Sequence, residues 1–438
     1  MKTPTVSIDL GASYTKVAYR RALEREGRQR FASANTHVAL IEGTATIPSV
    51  MIQTGDRQRP WCAGLDAARM TPNRKMKVFE NWKSALYSSA FDARKVELVW
   101  VAGNFFKWLL ERLTNLGINC DDSCRVRVTI PALKRIEEHK EALVQCLKLN
   151  GWPDTIEVVV EPRANVIGVF SGGRNVVSAS GQISYQPTFG NADGTGPSEL
   201  RYVFEEIRRY ALRTRKKRHM QTSVVDFGSF TLDVANQTLD LNVIDHKTFP
   251  LEDVSADSWE VGVIEDIDGP CSADLFARHG VDGDTLSFEV KESAKVTLYS
   301  GEPYALQQGR VTLGESDSDK ALVASVIDKY CHKVWSKIHG HCHDSEIVIL
   351  TGGGTCIPRV REYFDKKLKQ AGVANVVAFS VSRISGAGTR RHDRLCEWQS
   401  SGEGLGRLAT GLGGASIAYG FCPDEECLRF VPRGRNPL

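Results

Sequence analysis

Apolar positions along this chain gather into short runs that stop on an acid and then resume. "TVSIDL" carries Val6, Ile8 and Leu10 and closes around Asp9. Gly11 follows two residues later, then the hydroxyls of Ser13 and Thr15, and β-type residues return in "KVAY". About half a chain further on the order recurs: Val224 and Val225 run into Asp226, then come Gly228, Ser229, Thr231, Asp233 and "DVAN". Apolar run, polar turn and resumed run predict a β-hairpin in each place. A repeat at this separation predicts two lobes of related design. In "EIVILTGGGTCIPRVREYFDKKL" the period switches. Residues 346–350 predict a buried strand, Gly352, Gly353 and Gly354 a turn, and Pro358 the start of a helix. That helix has Val360, Tyr363, Phe364 and Leu368 at helical spacing.

The stretch 173–220 follows neither pattern. Its Gly/Ser-rich beginning, "SGGRNVVSASGQISYQPTFGNADGTGPS", predicts loop. "ELRYVFEEIRRYALRTRKKRHM" then predicts a helix over 198–218, with Ser198 as its cap. Leu200, Val203, Phe204, Ile207 and Ala211 form its apolar face. Arg213, Arg215, Lys216, Lys217 and Arg218 at its end suit the helix dipole, and they also fit a docking arm. The apolar face favours a protein partner over nucleic acid.

Composition narrows the classes. A chain of 438 residues, 42% hydrophobic and 25% charged, has room for two or three domains with real cores. A formal charge of +3 gives the average surface no case for nucleic acid or membrane. No apolar run approaches the ~20 residues of a membrane span, and the N-terminus shows no signal peptide. Eleven scattered cysteines, an odd number, predict reduced thiols in the cytoplasm. His339, His341, Cys342 and His343, with Cys331 and His332 nearby, match no structural zinc spacing, so metal is the minor reading there. Cys422 and Cys427 are a weaker metal candidate still.

The turns carry the chemistry. Glycine lets backbone N–H groups approach an anion, and Ser or Thr hydroxyls add neutral donors. A carboxylate at the strand end can hold Mg²⁺ or its waters beside a phosphate. Two such hairpins face to face would clamp a polyphosphate. Gly352, Gly353 and Gly354 would let a nucleoside lie against bare backbone. Taken singly, either Asp-x-Gly is also ordinary turn chemistry.

Two Asp-Gly hairpins followed by Gly-Gly-x-Thr-x-x-Pro is the order of the actin, sugar kinase and heat-shock 70 superfamily. Within it the chain resembles the nucleotide-binding domain of the heat-shock 70 (DnaK-type) chaperones. "IPSVMI", "CAGLDAARM", "VRVTIPAL", "VVVEPRANVIGVF", "ESAKVTLYS" and "LATGLGGASIAYG" are similar to segments of that domain in that order, from about Val6 to Phe421. The resemblance implies an α/β actin-like ATPase fold, two ribonuclease H-like lobes with a nucleotide cleft between them. It implies ATP/ADP and Mg²⁺ as ligands. Asp9 and Asp226 would hold the Mg²⁺ water shell, with Asp226 also placed to orient the attacking water. Glu161 takes the position of the catalytic carboxylate, Lys83 that of the lysine at the transferred phosphate, and Thr231 that of the hydroxyl beside it, with Asp233 as the acid after it. Gly11, Ala12, Ser13 and Tyr14 would form the first phosphate turn, and Gly228, Ser229 and Phe230 the second. Glu292 and Lys295 would flank adenine and ribose, and Gly352, Gly353 and Gly354 would line the nucleoside.

Three departures stand out. Ala12, Ser13 and Tyr14 replace two threonines and an asparagine, Ser229 and Phe230 replace two glycines, and Val296 stands where the chaperones place an arginine. They imply weakened nucleotide binding and slow hydrolysis. The expected division is lobe I over 1–170, with an insertion at about 31–123 and a closing helix at 403–421. Lobe II spans 171–402, with the 173–220 insertion and a small subdomain at about 249–302. The tail 422–438 is too short for a peptide-binding domain. The reading is therefore a slow ATPase acting as a nucleotide-driven switch on a protein partner. The alternatives are an actin-like filament-forming ATPase, a small-molecule kinase and a nucleotide-sensing scaffold that does not hydrolyse.

Overall fold

The computed structural model describes residues 4–20, 36–44, 46–87, 95–133, 136–170, 174–177, 183–186, 219–240, 251–306 and 310–378. The architecture is mixed α/β, built on two larger sheets. In the first half, β1 (Thr5–Leu10) is buried along its whole length. It runs antiparallel to β2 (Tyr14–Arg20), with Asp9 opposite Lys16. Both β3 (Thr36–Val38) and β4 (Ile47–Pro48) pair with β2. A separate three-stranded sheet follows, made of β5 (Met51–Gln53), β6 (Trp61–Ala63) and β7 (Lys77–Phe79). The short helix α1 (Gly64–Arg69) leaves β6, and α2 (Trp82–Tyr87) and α3 (Lys95–Asn115) come after β7. Then β8 (Arg125–Ile130), α4 (Ile136–Leu149) and β9 (Ile156–Val160) make a parallel crossover, with β8 beside β1. From the end of β9 the chain passes directly into α5 (Glu161–Phe170). A hairpin of β10 (Arg174–Val177) and β11 (Ile183–Gln186) extends the sheet through β3.

The second half begins with β12 (His219–Phe227), β13 (Leu232–Asp240) and β14 (Leu251–Trp259), all antiparallel neighbours. A single π-helical turn (Ile264–Asp268), α6 (Gly269–Arg278) and α7 (Phe288–Tyr299) follow. A ribbon of β15 (Tyr304–Leu306) and β16 (Val311–Leu313) leads to the long α8 (Asp317–Cys342). β17 (Ile347–Thr351), α9 (Pro358–Gln370) and β18 (Asn375–Ala378) complete the described chain, with β17 parallel to both β12 and β18.

The two sheets share one topology. Apart from β10 and β11, the first reads β3-β2-β1-β8-β9 and the second β14-β13-β12-β17-β18. In each, the first three strands form an antiparallel meander and the last two run parallel to the first. Each has its own apolar core. Val101, Phe105, Phe106 and Leu109 of α3 pack with Val6, Ile8, Val126 and Val128. Tyr330 and Val334 of α8 and Val360 and Phe364 of α9 pack with Val225, Phe227, Val348 and Leu350. α5 links the halves, since it leaves β9 and lies against β12, β13 and β14.

Several expected boundaries move. The stretch predicted as loop after 173 contains β10 and β11, and they belong to the first sheet rather than to the second half. Glycine and serine density hid two short runs of β-type residues, Val176 and Val177 in one and Ile183 and Tyr185 in the other. The first insertion was expected from about 31, yet β3 and β4 are in the main sheet and α3 builds its core, so the inserted part is β5 to α2. The second was expected from about 249, but β14 is the third strand of the main sheet, and the inserted part runs from the π-turn through β16. In both cases the third strand follows a long link with no tight-turn signature. The 198–218 helix, the closing helix 403–421 and the 422–438 tail lie outside the described residues. Among the described residues, no helix is long and apolar enough to cross a membrane.

Candidate functional site

The two hairpins, one from each sheet, meet at one cleft. Leu10 pairs with Thr15 and Phe227 with Leu232, so each hairpin has a four-residue loop, 11–14 in one and 228–231 in the other. Glycine is required at the start of each. A Cβ on Gly11 would lie 2.1 Å from the Tyr14 carbonyl oxygen, and one on Gly228 would lie 2.6 Å from that of Thr231. The third glycine turn closes against the second acid. Gly352 has φ +87°, and a Cβ there would lie 2.0 Å from Asp226 Oδ1.

Every residue singled out from the sequence for catalysis, nucleotide or magnesium lines this cleft. From the first half these are Asp9, Gly11, Ala12, Ser13, Tyr14, Lys83 and Glu161. From the second they are Asp226, Gly228, Ser229, Phe230, Thr231, Glu292, Lys295, Gly352, Gly353 and Gly354, with Asp233 beside them. Sequence reading missed Lys16, Asp268 and Tyr299, which also line it, and Asn165, which braces it from α5.

Lys16 Nζ lies 3.0 Å from Asp9 Oδ2, and Thr129 donates to Asp9 Oδ1 at 3.2 Å. Glu161, the first residue of α5, is held 2.6 Å from Lys83 Nζ, both side chains being buried. The preceding residue, Trp82, anchors α2 against Phe105 with ring centroids 5.3 Å apart. Burial raises the Glu161 carboxyl above the usual range, with Lys83 opposing. Asn165 donates to Asp226 Oδ2 at 2.5 Å and to Thr351 Oγ1 at 3.1 Å. Burial lifts Asp226 to about 7, against the pull of Lys16 and with Asp9 and Glu161 adding to it. Asp233 accepts from Thr231 Oγ1 at 3.0 Å and from Ser258 Oγ. Burial, with Glu161 and Asp226 adding, pushes its carboxyl well above the ordinary value. Ser258 in turn accepts from the Ala132 N–H at 2.9 Å, which ties the loop after β8 to β14.

The other end of the cleft is a chain of hydrogen bonds. Tyr299 Oη donates to Asp268 Oδ1 at 2.6 Å, and Lys295 Nζ lies 2.8 Å from Asp268 Oδ2 and 2.7 Å from Glu292 Oε1. Burial opposes the charge on Lys295, but Glu292 and Asp268 outweigh it and hold its pKa above the usual lysine value. The Tyr14 hydroxyl then donates to Glu292 Oε2 at 3.1 Å, so the chain ends on the first hairpin. Phe230 is 6% exposed and packs into the core of the first half, which removes most of its ring from the turn.

Some missed residues had a local signal. Asn165 stands four residues after Glu161 on one helix face, and Lys16 follows from counting a four-residue loop back from Asp9. Asp268 and Tyr299 had none, because their meeting depends on how the π-turn packs on α7. Among the described residues, no group of three or more His, Cys, Asp or Glu is arranged to ligate a metal directly. In the histidine-rich stretch, Cys342 is buried in the second core, His339 Nδ1 lies 3.2 Å from the Trp335 carbonyl, and His341 Nδ1 lies 3.6 Å from Asp257.

No protein-family model matches the chain, and no curated protein matches it.

Proposed function

We propose that this protein binds ATP and hydrolyses it slowly, with an actin-like ATPase fold similar to the heat-shock 70 nucleotide-binding domain. Its nucleotide state sets the closure of two lobes and is read by a protein partner. The observation that carries this reading is the convergence of two topologically equivalent Asp-x-Gly hairpins on one cleft that also holds Glu161 and Lys83.

The roles follow from what each group can do. The two glycine turns would take the polyphosphate on their backbone and hydroxyl donors. Magnesium, when bound, would neutralise phosphate charge, and Asp9 and Asp226 would hold it through its waters. Hydrolysis joins a water oxygen to the terminal phosphorus and breaks the bond to the bridging oxygen, which leaves with ADP. Glu161 would accept the water proton, and its raised pKa would make it a stronger base than an exposed carboxylate. Lys83 would offset charge on the transferred phosphoryl group, and Thr231 would donate to it. Glu292 and Lys295 would receive the ribose hydroxyls, and the glycines at 352–354 the base. Cytoplasmic location and partner capture through the 198–218 segment complete the proposal.

The test is ATP binding and turnover for the wild type beside Glu161→Gln. Binding retained with turnover reduced at least about a hundredfold supports a carboxylate-assisted hydrolase. Tight binding with no turnover in either form would replace the hydrolase with a nucleotide-sensing scaffold. No binding in either form would remove the function altogether.

A further inference from the structure

The Tyr14 side chain does more than line the first turn. Its hydroxyl reaches across the cleft to Glu292 Oε2 at 3.1 Å, and its ring meets Phe288 edge to face with centroids 5.8 Å apart. Phe288 and Glu292 are both on α7 of the second half, whereas Tyr14 begins β2 of the first. Around this contact the inserted sheet of the first half also meets α7. Lys291 Nζ lies 2.9 Å from Glu80 Oε1, and Phe288 is buried among Val50, Ile52, Ala67 and Ala68. Glu292 is thus engaged on both oxygens, by Lys295 on Oε1 and by a phenol on Oε2. A phenol hydroxyl donating to a carboxylate is the same chemistry that a sugar hydroxyl would present there.

We propose that Tyr14 is an internal stand-in for a ligand hydroxyl. In the ligand-free protein it occupies Glu292 and fastens the two halves, and a ligand bearing hydroxyls must displace it to use that carboxylate. This inference rests on the proposed function for the identity of the ligand, a nucleotide, but the fastening itself does not. Tyr14 is then a gate that sets nucleotide affinity and discriminates between phosphate ligands with and without a hydroxylated sugar. It also accounts for a bulky aromatic residue in a turn otherwise built of small ones.

The experiment compares the full-length wild type with Tyr14→Phe, which keeps the ring against Phe288 and removes only the hydroxyl. Without nucleotide, amide hydrogen exchange in 288–299 should accelerate about tenfold in Tyr14→Phe, the loss of one charge-assisted hydrogen bond. Unchanged exchange there would overturn the fastening. Calorimetry with ATP and with inorganic tripolyphosphate reads the competition. ATP should bind severalfold more tightly to Tyr14→Phe, and tripolyphosphate equally to both forms. An equal gain for both ligands, or weaker ATP binding to the variant, would overturn the stand-in role. If neither form binds ATP, the proposed function and the stand-in role both fail, while the exchange result still decides the fastening.

Discussion

The two hairpins occupy equivalent places in equivalent sheets, with the same loop length and the same glycine, yet their charges differ. In the first, the residue opposite the acid is a cation, Asp9 facing Lys16 across the ladder. In the second it is another acid, Asp226 facing Asp233. Like charges directly opposite are unfavourable, and more so when buried. Asp226 accepts from the neutral amide of Asn165 at 2.5 Å, and burial carries it to about 7 against the pull of Lys16. Topology therefore fixes where the acids stand, while the cross-strand partner fixes what each contributes. The first hairpin sets a cation opposite its acid, and the second sets another acid there.

Three experiments would sharpen or break this comparison. The largest effect concerns what the hairpins share. Gly11→Ala and Gly228→Ala should each cost about 3 kcal/mol in denaturant unfolding, because the added methyl meets a backbone carbonyl that cannot move away. A loss under ~1 kcal/mol at either site would show that its turn relaxes. Next comes the difference itself. Lys16→Asp gives the first hairpin the acid–acid pair of the second and should destabilise the ligand-free protein by about 2 kcal/mol at pH 7, read from the same unfolding curves. No change would mean that the Asp9–Lys16 pair is balanced by other groups.

The smallest effect runs in the opposite direction. Because Asp226 holds its proton to about pH 7 when folded and releases it near pH 4 when unfolded, the folded state binds more protons between those values. Its contribution to stability therefore falls as pH rises from about 4 to about 7 and stays low above that. Asp226→Asn removes the charge and should stabilise the ligand-free protein by about 1–2 kcal/mol at pH 8, with the gain fading towards pH 4. Thermal melts across that range would show it. A loss at pH 8 would mean that the carboxylate is satisfied as it stands.

How much of this was legible in the sequence follows from how local each signal is. The strands β1, β12 and β17, their turns and the start of α9 are written in apolar periodicity, glycine and proline within a few residues. Asp9, Asp226 and the glycines of the cleft were legible for the same reason, since each sits at a strand end or a turn. The Asp268–Tyr299 contact was not, because it joins a π-turn to a helix 31 positions away. Nor was the place of β10 and β11, whose short runs lie among glycines and serines and whose partner β3 is far away in sequence. The charge contrast lay between the two. Lys16 and Asp233 are visible beside their turns, but their role appears only once the register is known.

The central claim is that both hairpins hold one polyphosphate. The most direct test is calorimetric titration of ATP with magnesium into the wild type, Asp9→Asn and Asp226→Asn. The account expects one site per chain in the wild type, weaker binding when magnesium is removed, and at least about a tenfold loss of affinity in each variant. Loss confined to one variant, or no binding by the wild type, would contradict it.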